Sequence, residues 1–248
     1  MKQQSIKNRG FLGGTWLKLP LLLIAIYSLS GCAGPYVFST SSHQDHDLYS
    51  EKLQSEGIAF LTPSTITGQE QDKQALAFIF SEVLAKTRPD IRRVTLPETL
   101  SAVNRADMVD EYMLMYQQYQ QTGIFKHASL KRLGELTNAR YVAQLKLAGF
   151  EQDSSGRFGV LGLRVLETKS ANIRLFLQIW DTKMGTIAWE AEHEMNVAED
   201  VFTEKKITFR EVVTKSAEEI FTKLPENTIA KDKKDGAEKD HLANAALK

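Results

Sequence analysis

Three stretches of this chain alternate apolar and polar residues at a period of two, and they leave it little choice of architecture. Tyr141, Ala143, Leu145 and Leu147 share one side of the first stretch, and Ile173, Leu175, Leu177 and Ile179 one side of the second. Ile187, Trp189, Ala191, His193 and Met195 line the third. Successive strand residues point to opposite faces, so each stretch predicts a strand with one buried face. Asp181-Thr182-Lys183-Met184-Gly185 separates the last two as a turn, and the pair reads as a half-buried antiparallel hairpin. Asp181 is expected to fix that turn through its own backbone. Glu190, Glu192 and Glu194 fall opposite Trp189 and predict a solvated strand face rather than paired catalytic carboxylates. His193, on the apolar side, is expected to be a satisfied core histidine.

The remaining elements read as helices and short strands. Ile58-Ala59-Phe60-Leu61 is a continuous apolar run ending at Pro63 and suits a buried first strand. Thr67-x-x-Glu70 has the spacing of a capping box, and behind it Leu76, Ile79, Phe80, Val83 and Leu84 form one helix face, stopped by Arg88-Pro89. A short strand over Arg93 to Leu96 leads into Thr95-x-x-Glu98, a second capping box with Pro97 in the first turn. Tyr112, Met115, Tyr116 and Tyr119 follow at helical spacing among glutamines, with Gly123 as terminator. These large amphipathic side chains are the candidate partner-binding surface. Ser129 to Thr137 is a further helix carrying Leu130, Leu133 and Leu136. Glu151 to Asn172, broken by Gly156, Gly159 and Gly162, reads as a hairpin-like excursion with a short strand, and its apolar part, Phe158 to Leu166, is the other candidate surface. Phe209, Val212, Val213, Ala217, Ile220, Phe221 and Leu224 make the clearest helical stripe, closed by Pro225. This order gives an α/β (α+β) domain over residues 58–225, a mixed sheet of about five strands packed by helices.

The ends of the chain read differently. Lys2, Lys7, Arg9 and Lys18 precede an apolar run from Leu19 to Tyr27, and Leu29-Ser30-Gly31-Cys32 follows it. A basic start, a short apolar run and small residues before a cut site compose a secretory signal. Apolar, small, glycine, cysteine resembles the bacterial lipobox, which implies signal-peptidase recognition at Leu29, Ser30 and Gly31, removal of residues 1–31, and acylation of Cys32. Ala33 after the cysteine implies, by the same resemblance, release to the outer membrane of a Gram-negative cell, facing the periplasm. An uncleaved transmembrane anchor is disfavoured, because the run contains Pro20 and is shorter than the roughly 20 apolar residues of a span. Residues 32–57 are small and polar, without periodicity, and read as a flexible tether. In such a tether His43, Asp45, His46 and Asp47 are expected to be solvated rather than to bind metal. Residues 226–248 mix charges with little to bury and are expected to be a disordered tail.

Within the domain, Leu133-Gly134-Glu135-Leu136-Thr137-Asn138-Ala139-Arg140-Tyr141-Val142 runs a helix through small residues into a strand, and Ile179 to Ile187 carries an aspartate, a turn and a glycine. Over residues 58–224 this order resembles the periplasmic core of the curli secretion channel lipoprotein and the amino-terminal domain of the Tol system's β-propeller protein. The resemblance implies the α/β fold. Asn138 and Arg140 stand where such sequences have glycine and aspartate. Glu151 to Asn172 offers at most one of the two long hairpins each channel subunit inserts, and lacks the lipid-facing alternation of a spanning strand.

Chemistry is expected to be absent. The sequence contains no Walker loop, GxSxG elbow or HExxH, and the only cysteine is consumed by lipid. Formal charge is zero, and loss of the four leader cations leaves the remainder acidic by about four units, which excludes an electrostatic footprint for nucleic acid. No disulfide can form, so packing alone holds the fold. The expected function is a non-enzymatic binding or assembly module of the cell envelope, without cofactor or metal, tethered through Cys32 and contacting an envelope protein. The alternative is an oligomeric subunit of an envelope secretion or transport complex. A hydrolase of envelope substrates is the third reading.

Overall fold

The computed structural model describes residues 36–65, 70–160, 163–201 and 207–226. The signal segment with Leu29, Ser30, Gly31 and Cys32, the Thr67 half of the first capping box and the tail from residue 227 lie outside these residues. In chain order the elements are β1 (Tyr36–Asp45), α1 (Ser50–Glu56), β2 (Ile58–Phe60), β3 (Ser64–Thr65), α2 (Glu70–Thr87) and β4 (Arg93–Val94). They continue with α3 (Leu96–Arg105), α4 (Val109–Thr122), α5 (His127–Thr137), β5 (Tyr141–Val160), β6 (Leu163–Asp181), β7 (Thr186–Val201) and α6 (Phe209–Phe221).

The described residues thus form an α/β fold with one mixed, open sheet in the order β1-β7-β6-β5-β2-β4. β5, β6, β7 and β1 run antiparallel each to the next, whereas β2 lies parallel to both β5 and β4. β3 rejoins β5 further along, at Lys146 and Leu147. Pro63 sits in the gap between β2 and β3, where its missing N–H interrupts the ladder.

Helices cover both faces. On one side α2 and α6 close over Tyr141, Ala143, Leu145, Leu147, Ile173, Leu175, Leu177, Ile179, Trp189, Ala191 and Met195, all buried. The alternating residues of the sequence are this face. Val212, Val213, Ala217, Ile220 and Phe221 of α6 are buried against it, and Phe221 meets Phe80 of α2 edge-on at 5.6 Å. On the other side α3, α4 and α5 cover a smaller core built on Ala59, Leu61, Val142 and Trp180. Ile187 belongs with this second core rather than with Trp189. The register shifts between Ile179 and Trp180, and such an irregularity moves the residues beyond it to the other face.

The predicted capping box at Thr95 is present. Thr95 N donates to Glu98 Oε2 at 2.7 Å, and Thr95 Oγ1 accepts from Glu98 N. The sequence reading missed a second one, Thr208 with Glu211, that opens α6.

Two expectations are overturned. Residues 32–57 are not a tether throughout: Tyr36–Asp45 is a ten-residue strand paired along its length with β7, and Ser50–Glu56 is a helix. An edge strand whose half-buried residues are serines carries no hydropathy alternation, so composition hid it. The hairpin expected at Glu151 to Asn172 is present, but the separate short strand expected in it is not: the hairpin is the continuation of β5 and β6, paired through Glu151 and Asn172.

Candidate functional site

The aromatic stripe of α4 is part of the second core, which corrects its reading as a partner surface. Met115 and Tyr119 are buried, and Tyr112 and Tyr116 are half-buried. Tyr119 stacks on Phe125 at 4.2 Å, and Phe125 meets Trp180 edge-on at 5.3 Å. The phenols are occupied as well. Thr62 N donates to the Tyr112 hydroxyl at 2.9 Å, Tyr116 donates to Pro63 O at 2.7 Å, and Tyr119 donates to Gln178 Oε1 at 3.0 Å. Tyr112 and Tyr116 thereby take up backbone groups left over where Pro63 breaks the ladder between β2 and β3. Burial pushes the Tyr119 phenol up to about 12, and raises that of Tyr112.

The outward face of the same helix is the exposed one. Val109, Met113 and Leu114 are 51%, 52% and 53% exposed, and Ile124 lies beyond Gly123 at 63%. The exposed apolar side chains of this helix are therefore not the ones that the sequence spacing singled out. Apolar residues occur all round α4, so spacing alone does not choose a side.

A cleft of about 510 Å3 opens where α1 and α5 meet the start of β5 and the β6–β7 turn, lined in part by Glu56, Arg92, Lys131, Asn138, Arg140 and Lys183. Arg140 is its centre. Its Nε and Nη2 donate to Asp181 Oδ2 at 2.9 and 2.8 Å, and its Nη1 to Glu56 Oε1 at 2.8 Å. Asp181 uses its other oxygen to fix the turn, accepting from Lys183 N at 2.9 Å and Met184 N at 3.2 Å, as expected of it. Lys183 pairs with the second oxygen of Glu56. Hydrogen bonds from Lys183 and Arg140 hold the Glu56 carboxyl below the usual carboxylate range, and Asp181 raises the Arg140 guanidinium above its ordinary value. Arg92 donates to Glu56 O at 3.0 Å and to Asn138 O, gathering the ends of α1 and α5. Asn138 has φ 50°, the left-handed cap conformation that asparagine tolerates better than most residues. Gly134 lets α5 approach Thr182, since a Cβ there would stand 2.8 Å from Thr182 Cβ. Every carboxylate oxygen of Glu56 and Asp181 is engaged by a cation or a backbone N–H, so the cleft is a clamp on four chain segments. Neither of these two carboxylates is left as a free acid or base.

On the strands the glutamates behave as expected. Glu190, Glu192 and Glu194 lie half-exposed on the face away from α6, and Arg174 reaches Glu192 at 3.2 Å and Glu194 at 3.7 Å. His193 is buried as predicted, but it is not satisfied: neither ring nitrogen has a hydrogen-bond partner. His43, Asp45 and the following His46 and Asp47 are spread along the end of β1 and its exit. Among the described residues no group of three or more His, Cys, Asp or Glu could hold a metal ion. Also among these residues, no helix is long and apolar enough to cross a membrane.

No family model matches the chain, and no curated protein matches it. Among solved structures, the PelC dodecamer from Paraburkholderia phytofirmans aligns with a TM-score of 0.45 at 12% identity, covering 77% of this chain and 100% of that one. Lipoprotein GNA1162 from Neisseria meningitidis aligns with a TM-score of 0.35 at 9% identity, over 67% of this chain and 95% of its own. The LpoB C-terminal domain from Salmonella enterica gives 0.32 at 11% identity, over 60% and 84%. At these scores the likeness is loose, and it assigns the chain to no family.

Proposed function

We propose that this chain is a lipoprotein of the bacterial cell envelope, acylated at Cys32, anchored in the outer membrane facing the periplasm, and acting as a non-enzymatic binding or assembly module. The observation that carries the reading is Leu29-Ser30-Gly31-Cys32, placed directly behind a basic start and an apolar run. The self-contained ion-pair clamp around Arg140 supports a binding role over a catalytic one. The charged groups of Glu56, Arg140, Asp181 and Lys183 are paired with one another and tie chain segments together. The surface offered to a protein partner is the outward face of α4, where three large apolar side chains stand more than half exposed.

Mass spectrometry of the mature N-terminus tests the anchor: a diacylated or triacylated Cys32 is expected, and a Cys32→Ser chain leaves the membrane fraction. An unmodified cysteine sinks the reading. A photo-crosslinker at Leu114 tests the module. An adduct with a different envelope protein, lost when Met113 is replaced by glutamate, is the expected result. An adduct composed only of this chain favours the second reading, an oligomeric subunit of an envelope complex, which the same exposed face would also serve. No adduct at all removes α4 as the contact.

A further inference from the structure

β1 is an outermost strand of the sheet, and its side chains change character along its length rather than across its width. Tyr36, Val37 and Phe38 are 70%, 40% and 55% exposed. From Ser39 to Asp45 the strand is serine, threonine, histidine, glutamine and aspartate. Neighbouring strand residues point to opposite faces, so Val37 stands on the other side of the sheet from Tyr36 and Phe38. A protein docked on one face would cover Val37 or the two rings, and leave the rest in water. A medium that surrounds the end of the strand covers all three.

The chain outside the structure says which medium. Only Ala33, Gly34 and Pro35 separate Tyr36 from Cys32. Four extended residues span at most about 14 Å. If Cys32 carries the acyl chains, β1 therefore begins within reach of the headgroups. At about 3.3 Å per residue, the three residues span about 7 Å along the strand, within the depth over which interfacial segments are buried. Tyrosine and phenylalanine suit that boundary, with apolar rings and, for tyrosine, a hydroxyl that stays hydrated. No lysine or arginine occurs between Cys32 and Lys52, so the attraction is apolar and does not depend on anionic lipid.

We propose that Tyr36, Val37 and Phe38 form a second membrane contact, seating the first turn of β1 in the headgroup region of the lipid surface that holds the acyl chains of Cys32. This rests on the reading of Cys32 as the acylated residue. It fixes the domain's orientation, because β1 is laddered to β7 from Tyr36 to Asp45 and cannot enter the interface without setting the tilt of the sheet.

The test uses the intact protein purified from its membranes and reconstituted in vesicles of phosphatidylethanolamine and phosphatidylglycerol. Val37→Cys and, separately, His43→Cys carry an environment-sensitive fluorophore, with the Cys32 thiol blocked by its lipid. The probe at 37 is expected to shift to the blue, lose intensity to a shallow spin-labelled lipid, resist aqueous iodide, and keep this behaviour in high salt. The probe at 43 is expected to be quenched by iodide alone. In a Tyr36→Ser/Phe38→Ser chain the melting temperature should hold while the lipid quenching at 37 is lost. A probe at 37 open to iodide overturns the contact. So does one shielded from both quenchers, which would place a protein there. The mass of the N-terminal peptide reads the anchor separately. Acylated Cys32 with an iodide-exposed position 37 ends the docking and leaves the anchor standing, whereas unmodified Cys32 ends both.

Discussion

Ser41 of β1 and His193 of β7 stand opposite one another across the edge of the sheet, and among the described residues neither the serine hydroxyl nor either imidazole nitrogen has a hydrogen-bond partner. The nearest carboxylate, Glu219 of α6, is 4.0 Å from His193 Nδ1 and already accepts from Ser39 Oγ at 2.8 Å. The arrangement joins β1, β7 and α6 around a polar group buried without compensation, which costs stability.

Acid should therefore loosen the domain through His193. Burial lowers its pKa from 6.5, with Glu219 opposing the shift more weakly. The unfolded imidazole takes up a proton near its ordinary value, whereas the folded one does so only at lower pH. Stability is thus fully present above that ordinary value and falls as the pH drops from it toward the lower folded one. Urea midpoints measured between about pH 7.5 and pH 5 should decline on acidification, and His193→Leu should flatten this part of the profile. An equal decline in the variant would assign the acid sensitivity to other groups.

The two faces of α4 should respond oppositely to truncation. Tyr119→Ala empties a buried aromatic position and is expected to cost about 3–5 kcal/mol. Leu114→Ala, on the outward face, should stay within about 0.5 kcal/mol of the parent. Tyr116→Phe, which removes the bond to Pro63 O, should lie between, at about 1 kcal/mol. Equal midpoints for Tyr119→Ala and Leu114→Ala would mean that the helix is not packed as described.

Breaking the clamp should be costly without any change of shape. Arg140 and Asp181 expose only 14% and 7% of their side chains, so Arg140→Met leaves a largely buried carboxylate without its counter-ion. A loss of about 3–5 kcal/mol is expected, and Arg140→Met combined with Asp181→Asn should recover part of it. Additive losses in the double variant would show that the pair is not coupled.

Much of this fold was legible because its strands are half-buried. One-sided burial writes itself as alternation, and the faces of β5, β6 and most of β7 were read correctly from Tyr141, Ile173 and Trp189 onward. The α6 stripe and the Asp181 turn were equally plain, since helical spacing and a turn aspartate act locally. What failed depends on what lies elsewhere in the chain. β1 has only serines, Ser39 and Ser41, on its half-buried side, and takes its structure from β7. The tyrosines of α4 look like an interface until Thr62 and Pro63, fifty residues away, are seen beside them. Arg140 gave no sign by itself, because its meaning is set jointly by Glu56 and Asp181.

The pairing of Tyr36 with Ala198 has a consequence in time. The chain is made from its N-terminus, and β1 is synthesised well before β7. Until β7 arrives, β1 has no neighbour of its own, and closing so wide a loop is among the slower steps open to a folding chain. The strand synthesised first is in this sense the one secured late, and a nascent chain interrupted before Thr186 would hold its N-terminal strand unmatched.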